Sequence, residues 1–131
     1  MSEEDGGLSL SDTIDELRKL MAPVFEAQKE QWEQNGPIVM ARADGLGITI
    51  DNIGGNCPVQ ATGSFDDQEF YFRARGDSWQ LHVGPHNDRF SGKEWVVTDD
   101  YGEWPEAGWM PRHEAVMFIC DCVEKYRKEK A

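Results

Sequence analysis

The sequence predicts an α+β domain: an N-terminal helix, an antiparallel sheet of five or six strands, and a C-terminal helix packed on one face of that sheet. Three observations carry this. Apolar residues recur at helical spacing over 10–35 and again towards the C-terminus, the period drops to two between them, and short turns rich in Gly, Asp and Asn separate the period-two runs.

The first helix is expected over 10–35. Ile14, Leu17, Met21, Val24, Phe25, Gln28 and Trp32 recur at three, four and seven, leaving Asp15, Arg18, Lys19, Lys29 and Glu33 to water. Ser9 with Asp12, or Ser11 alone, supplies an N-cap. Pro23 is expected to kink the helix or split it in two, and Asn35-Gly36-Pro37 to end it. Ile38–Ala43 and Ile48–Ile53 then read as short strands of a hairpin turning at Asp44-Gly45-Leu46-Gly47.

Beyond the turn cluster at 54–58, Val59–Phe65, Glu69–Arg75 and Ser78–Val83 form a meander with turns at Asp66-Asp67 and Gly76-Asp77. Phe70, Phe72 and Ala74 share one face with Trp79, Leu81 and Val83, while Tyr71, Arg73, Arg75, Gln80 and His82 take the other. Trp95–Thr98 is a further strand. Pro111 opens the last helix, whose stripe is Ala115, Phe118, Ile119, Cys122, Val123 and Tyr126. Lys125, Arg127, Lys128 and Lys130 crowd its C-terminal end, where the helix dipole is negative.

With 131 residues the chain is expected to hold one domain, 10–131, behind a flexible acidic N-terminus at 1–9. The first residues lack the basic and apolar regions of a secretory signal, no apolar run is long enough to span a membrane, and three cysteines in no framework spacing fit a reducing compartment. A cytoplasmic location is therefore expected. The net charge of −12 excludes direct binding to nucleic acid or anionic lipid, which depends on Lys and Arg, and favours a basic protein or nucleoprotein complex.

That charge is uneven: residues 94–111, EWVVTDDYGEWPEAGWMP, carry five acids and no Lys or Arg, and residues 1–36 carry nine acids against three bases. The 94–111 stretch also holds Trp95, Trp104, Trp109 and Tyr101. Trp95 is expected in a strand and Trp109 against the start of the last helix. That leaves Tyr101 and Trp104 as the candidates for exposed rings, Trp104 standing in a turn with no periodic apolar neighbours. Rings among carboxylates suit a desolvated contact with Arg or Lys. The candidate partner-binding set is Asp99, Asp100, Tyr101, Glu103, Trp104 and Glu106; packing and solubility are the plainer readings of the same residues.

Other motifs are weaker. Cys120 and Cys122 lie about 200° apart on a helix and cannot share one ion, and with Cys57 or His113 they make no zinc spacing; Cys122 falls on the core stripe and Cys120 off it. Asp44-Gly45-Leu46-Gly47 lacks the ending of a phosphate loop, and Asp99–Glu103 lacks the ligand positions of an EF-hand. Arg75-Gly76-Asp77 is a turn. Arg73, Arg75 and His82 form a candidate anion contact, with Asp77 or Asp88 as possible dyad partners of a histidine; His86 and His113 are the other histidines. The plainer expectation is cross-strand pairing of the arginines with Asp or Glu. No catalytic residue, metal or cofactor is assigned.

Residues 57–79, CPVQATGSFDDQEFYFRARGDSW, and 107–111, AGWMP, resemble stretches of small uncharacterised proteins of phages and bacterial mobile elements. The resemblance covers under a quarter of the chain and carries no catalytic residues. It implies a setting in which small acidic proteins act as inhibitors, such as anti-CRISPR proteins, some similar to DNA in surface charge. The expected function is thus a non-enzymatic inhibitor, monomer or homodimer, that occludes a basic and nucleic-acid-binding surface of a partner. The alternatives are an immunity protein or chaperone-like adaptor, and a small enzyme or anion-binding domain using the Arg73/Arg75/His82 face.

Overall fold

Strict alternation of apolar and polar side chains gives a sheet with one dry and one wet face, and the dry face must be covered. The computed structural model, which describes residues 10–85 and 92–131, shows how. The expected flexible segment 1–9, and His86 and Asp88, lie outside the described residues. The order is α1 (Leu10–Gly45), β1 (Thr49–Gly54), β2 (Val59–Phe65), β3 (Gln68–Arg75), β4 (Ser78–Val83), β5 (Trp95–Asp100), a 3-10 turn (Glu106–Trp109) and α2 (Arg112–Lys130). The strands form one antiparallel sheet in sequence order. The expected fold class is what is observed.

The meander follows the sequence reading closely. Phe65 pairs with Gln68 around Asp66-Asp67, both at positive φ, and Arg75 pairs with Ser78 around Gly76-Asp77. These two-residue turns fit the right-handed twist of the strands. Val59, Ala61 and Phe65, then Phe70, Phe72 and Ala74, then Trp79, Leu81 and Val83 all point inward and are buried. Each large side chain among them contributes about 1.5–3 kcal/mol by leaving water. Trp79 stacks between Phe72 and Phe118, at 5.7 and 4.8 Å between ring centroids.

Helix α2 closes this face with Ala115, Ile119, Cys122 and Val123, as its spacing predicts, and buries Val116 as well, which the expected stripe omits. Cys120 departs from the expectation: it too is buried. A single stripe would leave it exposed, but α2 is sandwiched between the sheet and the C-terminal end of α1, so two of its faces are dry. Burial pushes the Cys120 thiol up and raises that of Cys122 to about 12, which keeps both protonated.

The main correction concerns α1. Asn35-Gly36-Pro37 does not stop it and Pro23 does not split it; helix runs on through both prolines to Gly45, so Ile38–Ala43 is helical rather than a strand. Gly36, Val39 and Ala43 are the buried residues of this helix, and their packing beside α2 outweighs the local breakers. Arg42 adds ion pairs to Asp121 and Glu124 of α2 at 2.7 and 2.9 Å, on the exposed side where such pairs are weak. The Asp44–Gly47 segment is the end of the helix and not a hairpin. Ile48 N–H donates to Ala43 C=O and Gly47 N–H to Asp44 C=O, with Gly47 at φ 73°, the Schellman arrangement.

One small residue holds the sheet and core together. A Cβ on Gly63 would lie 2.7 Å from the Phe70 ring and closer still to the Thr49 carbonyl oxygen of β1. Gly63→Ala is therefore expected to destabilise the domain by about 3 kcal/mol through overpacking against backbone. Urea unfolding checks this: the midpoint should fall with the slope unchanged, and an unshifted midpoint would contradict the packing described.

Candidate functional site

The segment between β5 and α2 is built as a buttressed turn. Tyr101 N–H donates to the Asp77 carbonyl at 2.7 Å and Ala107 N–H to the Gly76 carbonyl at 3.0 Å, tying it to the β3–β4 turn. Cys57 N–H donates to the Gly108 carbonyl at 2.6 Å, tying it to the loop before β2. Within the turn, Glu106 Oε1 accepts from Glu103 N–H at 2.6 Å, and Asp99 Oδ1 accepts from Asp100 N–H at 2.8 Å. Ala107, Gly108 and Met110 are buried beneath it.

On this base Trp104 is 77% exposed. Its pyrrole edge lies over the β3–β4 turn, where a Cβ on Gly76 would come within 3.3 Å of Cδ1. Glu103 and Glu106 are exposed within the same turn; Asp99 and Asp100 are exposed at the end of β5, where Asp99 borders a depression with Cys122 and Lys125 of α2. Among the described residues none of the four forms an ion pair. The turn thus carries an exposed ring with two exposed carboxylates, and the strand end that leads into it carries two more.

Tyr101, the sixth member of the predicted set, turns inward instead. It is half-buried, meets Phe118 edge-on at 6.1 Å, and its hydroxyl donates to Glu114 Oε1 at 2.7 Å. Burial first, and then the hydrogen bond to Glu114, hold its phenol above the ordinary range. Tyr101 fastens the turn to α2. The other two tryptophans of the segment are less open: Trp95 is half-buried against Tyr126 with Nε1–H donated to Glu129, and Trp109 borders a groove beside α1.

The second candidate cluster divides. Arg73 and Arg75 remain on the polar face, bordering a depression of about 310 Å³ with Gly76, Ser78 and Gln80. The expected pairing with acidic residues does not occur. Directly across the strands, Arg73 faces Gln60 and Gln80, Arg75 faces Ser78, and among the described residues neither guanidinium forms an ion pair.

His82 leaves the set. Its side chain is buried, Nδ1–H donates to Glu94 Oε1 at 2.8 Å, and Nε2 lies 2.7 Å from Gln80 Oε1. Glu94, just ahead of β5, folds over the histidine, a long-range contact that alternation along β4 does not encode. Of the proposed dyad partners, Asp77 contributes its carbonyl to the Trp104 turn rather than its carboxylate to a histidine ring. Among the described residues no three His, Cys, Asp or Glu side chains gather as metal ligands, and no helix is long and apolar enough to cross a membrane.

The Tyr101–Glu114 bond gives a pH-dependent expectation. The native state holds the phenolic proton more tightly than the unfolded chain does. The contribution is therefore complete below about pH 10 and is lost progressively as pH climbs towards the raised native value. Tyr101→Phe should cost about 1 kcal/mol at neutral pH, by removing the bond, and should flatten the alkaline decline of stability. Denaturant titrations from pH 7 to 11 measure both; parallel curves for the two proteins would contradict the assignment.

Comparison with protein-family models, with curated proteins and with solved structures finds no match to this chain.

Proposed function

We propose that this chain is a binding domain without a catalytic role, which lays an acidic, tryptophan-centred surface over a basic and nucleic-acid-binding face of a partner protein. The observation behind the reading is the exposure of Trp104 on a hydrogen-bonded turn that carries Glu103 and Glu106 and follows Asp99 and Asp100, none of which forms an ion pair among the described residues. An exposed tryptophan held by the backbone loses little conformational entropy on docking, and the carboxylates steer a cationic face towards it. Three free cysteines agree with action in the reducing cytoplasm. An inhibitor encoded by a phage or mobile element, anti-CRISPR-like in class, is the role suggested by the sequence resemblance. An immunity protein or a chaperone-like adaptor would use the same surface.

A second reading has its own support. Two arginines that form no ion pair among the described residues, in a chain of net charge −12, border a depression lined by Ser78 and Gln80 donors. An anionic group would fit there, so an anion-binding or small enzymatic domain is the alternative. Inorganic phosphate, titrated by NMR, should shift the Arg73, Arg75 and Ser78 amides under that reading and not under the first.

The first reading is tested on the partner recovered from host lysate at low salt. Trp104→Ala should weaken that complex by ~2 kcal/mol or more, with the melting temperature nearly unchanged. Converting Asp99 and Asp100 to Asn and Glu103 and Glu106 to Gln keeps the acceptor oxygens of the turn. It should slow association and flatten its salt dependence. Unchanged affinity in both variants would overturn the proposal, and unfolding of Trp104→Ala would show the ring to be a packing residue.

A further inference from the structure

We infer that α1 is a self-association helix: two copies pair antiparallel through the apolar stripe of its N-terminal half, each stripe entering the groove beside Trp109 and Pro111 of the other copy. The stripe is Leu10, Ile14, Leu17, Met21, Val24, Gln28 and Gln31, alternating steps of four and three, which is the spacing of a coiled-coil seam. Leu20 and Phe25 widen it on either side, while Glu16, Lys19, Glu26 and Glu30 occupy the opposite face.

A single chain leaves this seam uncovered. α1 is 36 residues long, about 54 Å, but its buried residues are all at Gly36 and beyond. Every residue from Leu10 to Leu20 is exposed, with Leu10 at 77%, Leu17 at 55% and Leu20 at 70%. A helical extension of that length draws little stability from propensity in water and requires a packed face. A second copy offers the matching seam.

The area fits such an occupant. The exposed parts of Leu10, Ile14, Leu17, Leu20, Val24, Phe25 and Trp109 amount to on the order of 600 Å² per copy, close to the ~800 Å² that each partner buries in a standard interface. The seam has a receiving site as well. Met21, Pro23, Val24, Gln28 and Gln31 form one wall of an apolar groove of about 700 Å³ whose other wall is Trp109 and Pro111. That wall fixes the orientation. The seam faces the side of α1 on which the body lies, so a parallel pair would drive two bodies into the same space. An antiparallel pair places the second body at the far end and delivers the second copy's Leu10 and Ile14 to the groove.

Pairing by this route is apolar between two copies that each carry −12, so added salt should tighten it by screening repulsion. Acidic-surface binding through Trp104 responds to salt in the opposite sense, which keeps the two proposals separable. Sedimentation of the full chain at low-micromolar concentration is expected to show a dimer. Leu17→Glu should raise the dissociation constant at least ~30-fold with the near-ultraviolet tryptophan signal of the body retained, and Leu17→Met should leave it nearly unchanged. A nitroxide on Ser11→Cys, in a Cys57→Ser background because Cys57 is exposed, should give a separation of ~30 Å across the dimer. A monomeric wild type, a dimer that survives Leu17→Glu, or a label separation near one interhelical spacing of ~10 Å would each overturn the inference. So would a monomer that pairs only with a helix of a different protein.

Discussion

The structure depends on one constraint: a five-stranded sheet with a single dry face. Phe70, Phe72, Trp79 and Leu81 must be covered, and α2 is the cover. Once α2 lies there, its own second face needs covering, which draws in the C-terminal end of α1 and buries Val39, Ala43 and Cys120. On the polar face Glu94 covers His82, and the turn that carries the chain from β5 back to α2 crosses the end of the sheet. That crossing is where Trp104 and its carboxylates stand.

The chain thus has two unlike open surfaces with one origin. The Trp104 turn is tied down and acidic, with its ring exposed above buried Ala107 and Met110; the N-terminal half of α1 carries an exposed apolar stripe. The end of β5 and the turn after it carry four exposed carboxylates, and β3, with β4 between, carries two arginines; none of the six forms an ion pair among the described residues. A partner meeting this end of the sheet would encounter both signs.

Much of this was legible in the sequence where periodicity alone decides the outcome. Alternation in β3 and β4 identified the dry face, two-residue turns identified the meander, and three-four spacing identified α2. Trp104 was legible as a candidate exposed ring because nothing apolar recurs around it, but so was Tyr101, which turns inward. The failures share a cause: a contact between distant residues overrode a local signal. Gly36-Pro37 is a helix stop by local chemistry, yet packing beside α2 carries the helix through it. Gly47 was read as part of a hairpin turn, although a glycine followed by an apolar residue is equally the signature of a helix C-terminus. Cys120 lies off a single apolar stripe and is buried only because α2 packs against both the sheet and α1. His82 and Tyr101 were placed in open sites because Glu94 and Glu114, which hold them inside, are 12 and 13 residues away.

The account stands or falls on whether the Trp104 turn is held in place before any partner arrives. Native-state hydrogen exchange measures this at the three amides that tie it down, Cys57, Tyr101 and Ala107. If the turn is a built surface, these amides exchange only through openings nearly as costly as global unfolding. Exchange at all three as fast as in an unstructured peptide would mean that Trp104 sits on a loose loop, and would contradict the central claim.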